Sequence, residues 1–112
     1  MRESKNEGLS TMYMGRRRFI ATVDSITKDK EHIVLADVYN ADELVKVADS
    51  VTMNLTSGFR LTELGKKDIV EFQGRVEQRL SGYANPRFNI DNRVIEYYIA
   101  RATLIKNLSA IN

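Results

Sequence analysis

Cysteine is absent, so neither a disulfide framework nor a thiolate metal site can form. Its absence fits a reducing compartment. Histidine occurs once, as His32, and a zinc site built on it would need three carboxylates, which is unusual. No metal and no cofactor are therefore expected. Tryptophan is also missing, which leaves a small-ligand or carbohydrate barrel without support. Gly15, Gly58, Gly65, Gly74 and Gly82 are dispersed and make no phosphate-binding loop. The longest aliphatic run is Ile33-Val34-Leu35-Ala36, far too short to span a bilayer. The N-terminus lacks the apolar segment of a secretory signal, and a cytoplasmic, membrane-free protein is the expectation.

The chain has 112 residues, 43% of them hydrophobic, which suits one domain with one core. Its net charge is only +2. The charge is unevenly spread: residues 1–18 and 75–112 are basic and the segment between them is acidic. If the two ends meet in space, they make one positive face of the kind that attracts a polyanion.

Residues 1–14 are mostly polar and aperiodic, and read as a disordered N-terminal tail. Residues 15–112 read as one domain. Phe19–Ile26 alternates, with Phe19, Ala21 and Val23 on one phase, and predicts a strand. A charged turn, Thr27–Glu31, leads to a second strand, His32–Tyr39. Residues 46–55 predict a third strand, bulged at Ala48-Asp49. Phe59–Leu64 predicts a short helix, which Thr56 or Ser57 can cap and Gly65 can stop. Lys67–Leu80 is the clearest strand. Val70, Phe72, Gly74 and Val76 lie on one face, opposite Ile69, Glu71, Gln73, Arg75 and Glu77. Gly74 on the buried phase suits a sharply bending strand. Val94–Ile105, rich in β-branched residues and carrying Tyr97 and Tyr98, predicts the fifth strand. Alternation puts one of these two rings inside and one outside without saying which.

The expectation is an all-β fold. Five strands with one short helix between strands 3 and 4 is the order of a small OB-like Greek-key barrel, the oligonucleotide- and oligosaccharide-binding fold. An SH3-like barrel is the structural rival.

Three segments carry a family resemblance. Met14-Gly15-Arg16-Arg17-Arg18-Phe19, Asn54-Leu55-Thr56-Ser57-Gly58-Phe59 with Leu61–Val76, and Ser81-Gly82-Tyr83 with Tyr97–Arg101 resemble a family of small proteins from phages and mobile genetic elements of Gram-positive bacteria. The chain departs from the family pattern at Ser57, where the family has lysine, and at Lys67, where it has glycine. The resemblance implies an OB-like module on a mobile element and no particular activity.

No catalytic constellation stands out, and an enzyme is not expected. A lone strand histidine is more often structural or solvated than catalytic. Asp37 and Asp49 sit in apolar strand sequence. A buried carboxylate pair there would suit acid–base work, but a turn or bulge hydrogen bond is the expectation.

The binding signal lies between the fourth and fifth strands. The loop 81–93 carries Tyr83, Arg87, Phe88 and Arg93, and Arg79 precedes it. Arginines bind phosphates and aromatic rings stack on bases, so the mixture suits a single-stranded nucleic-acid groove. The same rings folded inward would merely pin the loop. Arg75 extends a basic track along the fourth strand, and Arg16, Arg17 and Arg18 supply phosphate contacts at the entry to the first. The function expected is single-stranded DNA or RNA binding, DNA first, in replication, recombination or transfer of a mobile element. The alternative is a protein-interaction module that binds a replication protein or a host defence factor. The acidic middle of the chain favours that alternative. The third and fifth strands offer edges to a second copy, so a homo-oligomer is also open.

Overall fold

The computed structural model describes residues 4–5, 7–12, 15–82 and 84–110. A short strand, β1 (Ser4–Lys5), and a 3-10 turn (Glu7–Met12) come first. The long strands β2 (Arg16–Ile26), β3 (His32–Asn40) and β4 (Val45–Asn54) follow, then α1 (Ser57–Leu61) and β5 (Ile69–Ser81). A small ribbon, β6 (Ala84–Asn85) and β7 (Ile90–Asp91), lies in the loop before β8 (Val94–Asn107). The five long strands occupy the places that alternation predicts. The helix starts two residues and ends three residues earlier than expected; Thr56 is its N-cap through its carbonyl, which accepts from Arg60 N–H at 3.0 Å, and its side chain makes no cap hydrogen bond.

The core follows the strand phases. Phe19, Ala21 and Val23 of β2, Ile33, Leu35 and Val38 of β3, and Val70, Phe72 and Val76 of β5 are all buried. Phe72 sits between Phe19, at 5.6 Å between ring centroids, and Phe59 of α1, at 6.0 Å and edge-on. Such tilted and edge-on contacts suit the ring quadrupoles and add to the area they bury. Gly74 lies on the same buried phase for a steric reason. A Cβ there would come within 2.4 Å of Ile99 Cγ2, so the absence of a side chain lets β8 lay Ile99 over β5.

Bulges bend the sheet at several places. The β3–β4 register steps between Val38 and Tyr39, leaving Val47 and Ala48 both turned inward. The extra residue in β4 is thus at Val47, one position before the predicted Ala48-Asp49. Asp37 adopts a left-handed φ of 50° where β3 slips against β2. In β8, Arg101 and Leu104 take left-handed φ values of 58° and 52°, close to two register shifts against β5. Each bulge adds local twist and curvature.

The long strands form one antiparallel sheet in the order β8-β5-β2-β3-β4, with β1 added in parallel to β8. β4 and β8 are separated by four antiparallel steps and so run in the same direction. They do not pair, and the sheet is not closed into a barrel. No helix among the described residues is long and apolar enough to cross a membrane.

The N-terminal segment departs from the reading of residues 1–14 as a free tail. Leu9 (0% exposed) and Met12 (5%) belong to the core. Residues three apart eclipse one another in a 3-10 turn, so these two apolar side chains point the same way from an otherwise polar stretch. The turn lies against β4, β8 and β5. Asn40 Nδ2 reaches Met12 Sδ at 3.4 Å, and Gly15 N–H donates to Met12 O at 3.0 Å.

The β5–β8 pair outruns the core. Burial stops at Val76 and Ile99, and no described residue from Glu77 to Tyr98 is buried. The radius of gyration is 15.4 Å, against about 13 Å for a compact chain of this length. The longest dimension is 59 Å.

Candidate functional site

The projecting β5–β8 arm gathers the predicted residues Arg79, Arg87, Phe88 and Arg93, and a cleft lined by Arg79 alone of the predicted set lies beside its base. Arg79 lies on the arm, next to Glu96 of β8. Its Nε donates to Glu96 Oε1 at 3.0 Å, and a second guanidinium nitrogen reaches the same oxygen. The Arg79 guanidinium also lies over the Tyr98 ring, 5.0 Å from its centroid. Tyr98 Oη donates to Glu77 at 3.3 Å, which fixes the ring from the other strand. The ambiguity between the two tyrosines is resolved: Tyr97 packs against the core and Tyr98 takes the opposite phase.

Arg87 and Phe88 occupy a 3-10 turn, Pro86–Phe88, at the arm's tip. Asn85 Oδ1 accepts from Arg87 N–H at 3.1 Å and caps the turn. Phe88 is 68% exposed, so it does not fold inward to pin the loop. Arg93 binds Asp91 through two nitrogens at 2.9 and 3.0 Å. The Arg93 guanidinium, helped by the Arg93 backbone N–H, holds the Asp91 carboxyl well below the usual carboxylate range. Tyr83 lies outside the described residues.

The basic start of β2 is divided. Arg16 donates to Arg101 O at 3.0 Å and to Thr103 Oγ1, and so ties β2 to the bulge in β8. Arg18 is held by Asp42 at 2.9 Å and Glu71 at 3.0 Å. Arg75 is half-buried on β5, between Arg16 of β2 and Ala100 of β8. Arg17 and Arg87 are exposed and have no ion pair among the described residues.

The predicted arginines thus do not form one bare positive track. Arg18, Arg79 and Arg93 are each matched by a carboxylate. The pairs Arg93–Asp91 and Arg18–Asp42 are exposed on both sides and stabilise by only about 0–1 kcal/mol, so a phosphate displaces those carboxylates at small cost, whereas Glu96 and Glu71 are mostly buried and resist displacement. The displaced carboxylate stays close, however, and offsets part of the new attraction.

The sequence did not reveal the cleft between β4 and the stretch of β8 that follows its pairing with β1. It has a volume of about 500 Å³. Ser50–Asn54 line one side, Tyr98–Ala102 the other, and His32 and Thr56 close one end. Arg79 and Glu96 reach it from the arm. Arg101 contributes a guanidinium 3.6 Å from Glu77. The lining offers hydroxyls, an amide, an imidazole and an aromatic ring under a guanidinium, a set suited to base edges and faces. Of its lining, Arg79 alone was named from the sequence as a binding residue. The rest depends on two strands more than forty residues apart in sequence.

The other titratable groups are explained locally. Lys46 Nζ lies 2.9 Å from both Asp37 and Asp49. The hydrogen bond from Lys46 lowers Asp49, and the two carboxylates raise Lys46. Asp37 therefore sits at a bulge, and both acids serve an exposed ion-pair cluster. Asp29, Glu31 and His32 bring one ligand atom each within 4.8 Å. Asp29 already accepts from the Thr27 hydroxyl and from Glu31 N–H at 2.9 Å, the hydroxyl chiefly lowering its carboxyl.

Comparison with known proteins finds no matching family model, no matching curated protein and no matching solved structure.

Proposed function

We propose that this chain is an OB-like module that binds single-stranded nucleic acid, DNA first, along the cleft between β4 and β8 and onto the β5–β8 arm. The observation that carries the reading is the Arg79–Tyr98 stack on the wall of a polar cleft. A guanidinium held over an aromatic ring gives a base a planar, sequence-tolerant surface. Topology adds support. Joining the parallel edges of β4 and β8 would turn the order β8-β5-β2-β3-β4 into a five-stranded Greek-key barrel, and OB-type barrels are partly open.

In this reading Tyr98 and Arg79 receive bases, while Arg101 and the exposed Arg87 and Arg17 contact phosphates. Phe88 at the arm's tip stacks on a base at the end of the track. The biological setting in this reading is cytoplasmic replication, recombination or transfer of a mobile element, without catalysis; the family resemblance supports the mobile element alone. A second reading, a protein-interaction module, is favoured by the carboxylates that match Arg18, Arg79 and Arg93.

Anisotropy of a labelled oligo-dT and of its RNA counterpart, titrated at low and physiological salt, tests the proposal. Saturable binding supports it, and stronger binding of the DNA supports its preference.

A further inference from the structure

A second groove lies at the end of the sheet opposite the arm, between the β2–β3 turn and α1. Its volume is about 490 Å³. Leu55 and Phe59 form its buried floor. Ile26, 40% exposed, and the half-buried Leu64 form aliphatic walls. Lys28, Lys30 and Arg60 stand around it, with Glu63 as the one acid in the lining.

The turn that makes one wall is sorted by charge. Lys28 and Lys30 line the groove, whereas Asp29 and Glu31 gather with His32 away from it. The sorting is built in. Lys30 N–H donates to Thr27 O at 2.9 Å, and Lys30 takes a left-handed φ of 57°. Asp29 is held back by the Thr27 hydroxyl and by Glu31 N–H. Arg60 then locks the turn to the helix, donating to Leu55 O at 3.1 Å and Lys30 O at 2.7 Å. Both acceptors are neutral carbonyls, so these bonds leave its charge uncompensated. Neither lysine has an ion pair among the described residues.

We infer that this groove docks an acidic–apolar peptide segment of a partner protein, one that presents a large apolar side chain flanked by carboxylates. Three cations around an aliphatic trough complement that chemistry in both charge and shape. A nucleic-acid strand fits less well. Phe59 is only 1% exposed, so no aromatic face is offered for stacking. The groove is already assembled by the Arg60 bonds, so docking requires little rearrangement.

The test uses the full chain and a labelled synthetic peptide in which leucine and phenylalanine are flanked by glutamates. Wild type is expected to bind it saturably, and not to bind a version with lysines in place of the glutamates. Lys28→Glu with Lys30→Glu should weaken peptide binding at least tenfold and leave both the thermal midpoint and oligo-dT affinity unchanged. Ile26→Ser should weaken it through the apolar wall, without dependence on salt. The inference is overturned if wild type shows no saturable binding or if the lysine peptide binds equally well. It is also overturned if the double charge variant loses oligo-dT affinity and keeps its peptide affinity, because the turn would then belong to the nucleic-acid surface.

Discussion

Gly8 packs directly on the carbonyl of Val47: a Cβ at residue 8 would lie 2.2 Å from that oxygen and 2.9 Å from Val47 Cα. Backbone meets backbone, so no side chain can turn aside to make room. Gly8→Ala should therefore push the 3-10 turn off β4 and disturb the burial of Leu9 and Met12. A loss of about 1–3 kcal/mol is expected, as for other overpacked sites. Deleting residues 1–12 should also lower the thermal midpoint, because two core side chains leave with the segment. Unchanged midpoints for both variants, by circular dichroism, would mean that the segment does not dock.

The phase of β5 makes a sharp contrast between neighbours. Val76 is fully buried, while Glu77 faces Tyr98 and Arg101 on the other side. Val76→Asp puts an unpaired carboxylate in the core and should unfold the domain. Glu77→Lys loses part-buried polar contacts to Tyr98 and Arg101 but leaves the core intact, and should cost far less than Val76→Asp. Chemical denaturation of the two variants checks this, and equal midpoints would contradict the assignment.

Acid should reveal the Asp91–Arg93 pair. The Asp91 carboxyl is depressed in the folded chain, so its contribution is present above its unfolded value, near 3.8, and fades as pH falls through the lower folded value. Asp91→Asn should have a lower thermal midpoint than wild type near neutral pH, and the gap should close as the pH drops below 3.8. The pair is exposed, so the gap will be small. A gap that widens in acid would reverse the sign of this linkage.

Much of the sheet was legible because strand alternation is local. Val70, Phe72 and Val76 share a face in any strand drawn through them, and all three are buried. The bulges at Asp37 and Arg101 escaped because each depends on the register of a neighbouring strand. The docked N-terminus escaped for another reason. Leu9 and Met12 match the period of a 3-10 turn, and two apolar residues in a polar stretch are a faint signal. At the candidate site, Arg79, Arg87, Phe88 and Arg93 fall on one arm because the chain between β5 and β8 carries them, yet nothing in the order Arg79, Arg93 announced that Glu96 and Asp91 would neutralise them. The cleft required knowing that β4 and β8 end up as facing edges.

The matched ion pairs also set the expected salt response. Arg17 and Arg87 are the exposed candidate arginines with no ion pair among the described residues, and meet phosphate without first leaving a described carboxylate. Two such contacts on a single strand give a log–log salt slope of about −1.4, and each exchanged ion pair steepens it by less than about 0.7. A slope several times steeper would mean that the carboxylates are displaced wholesale.

The central claim is that Tyr98, stacked under Arg79, receives a base. It is tested most directly by measuring oligo-dT affinity for wild type and Tyr98→Leu side by side, with thermal midpoints recorded for both. Leucine keeps the apolar bulk and removes the aromatic face. The account predicts saturable binding by wild type, a loss of about 1–3 kcal/mol of binding free energy in the variant, and little change in midpoint. Undetectable binding by wild type at low salt, or equal affinities for the two proteins, would contradict it.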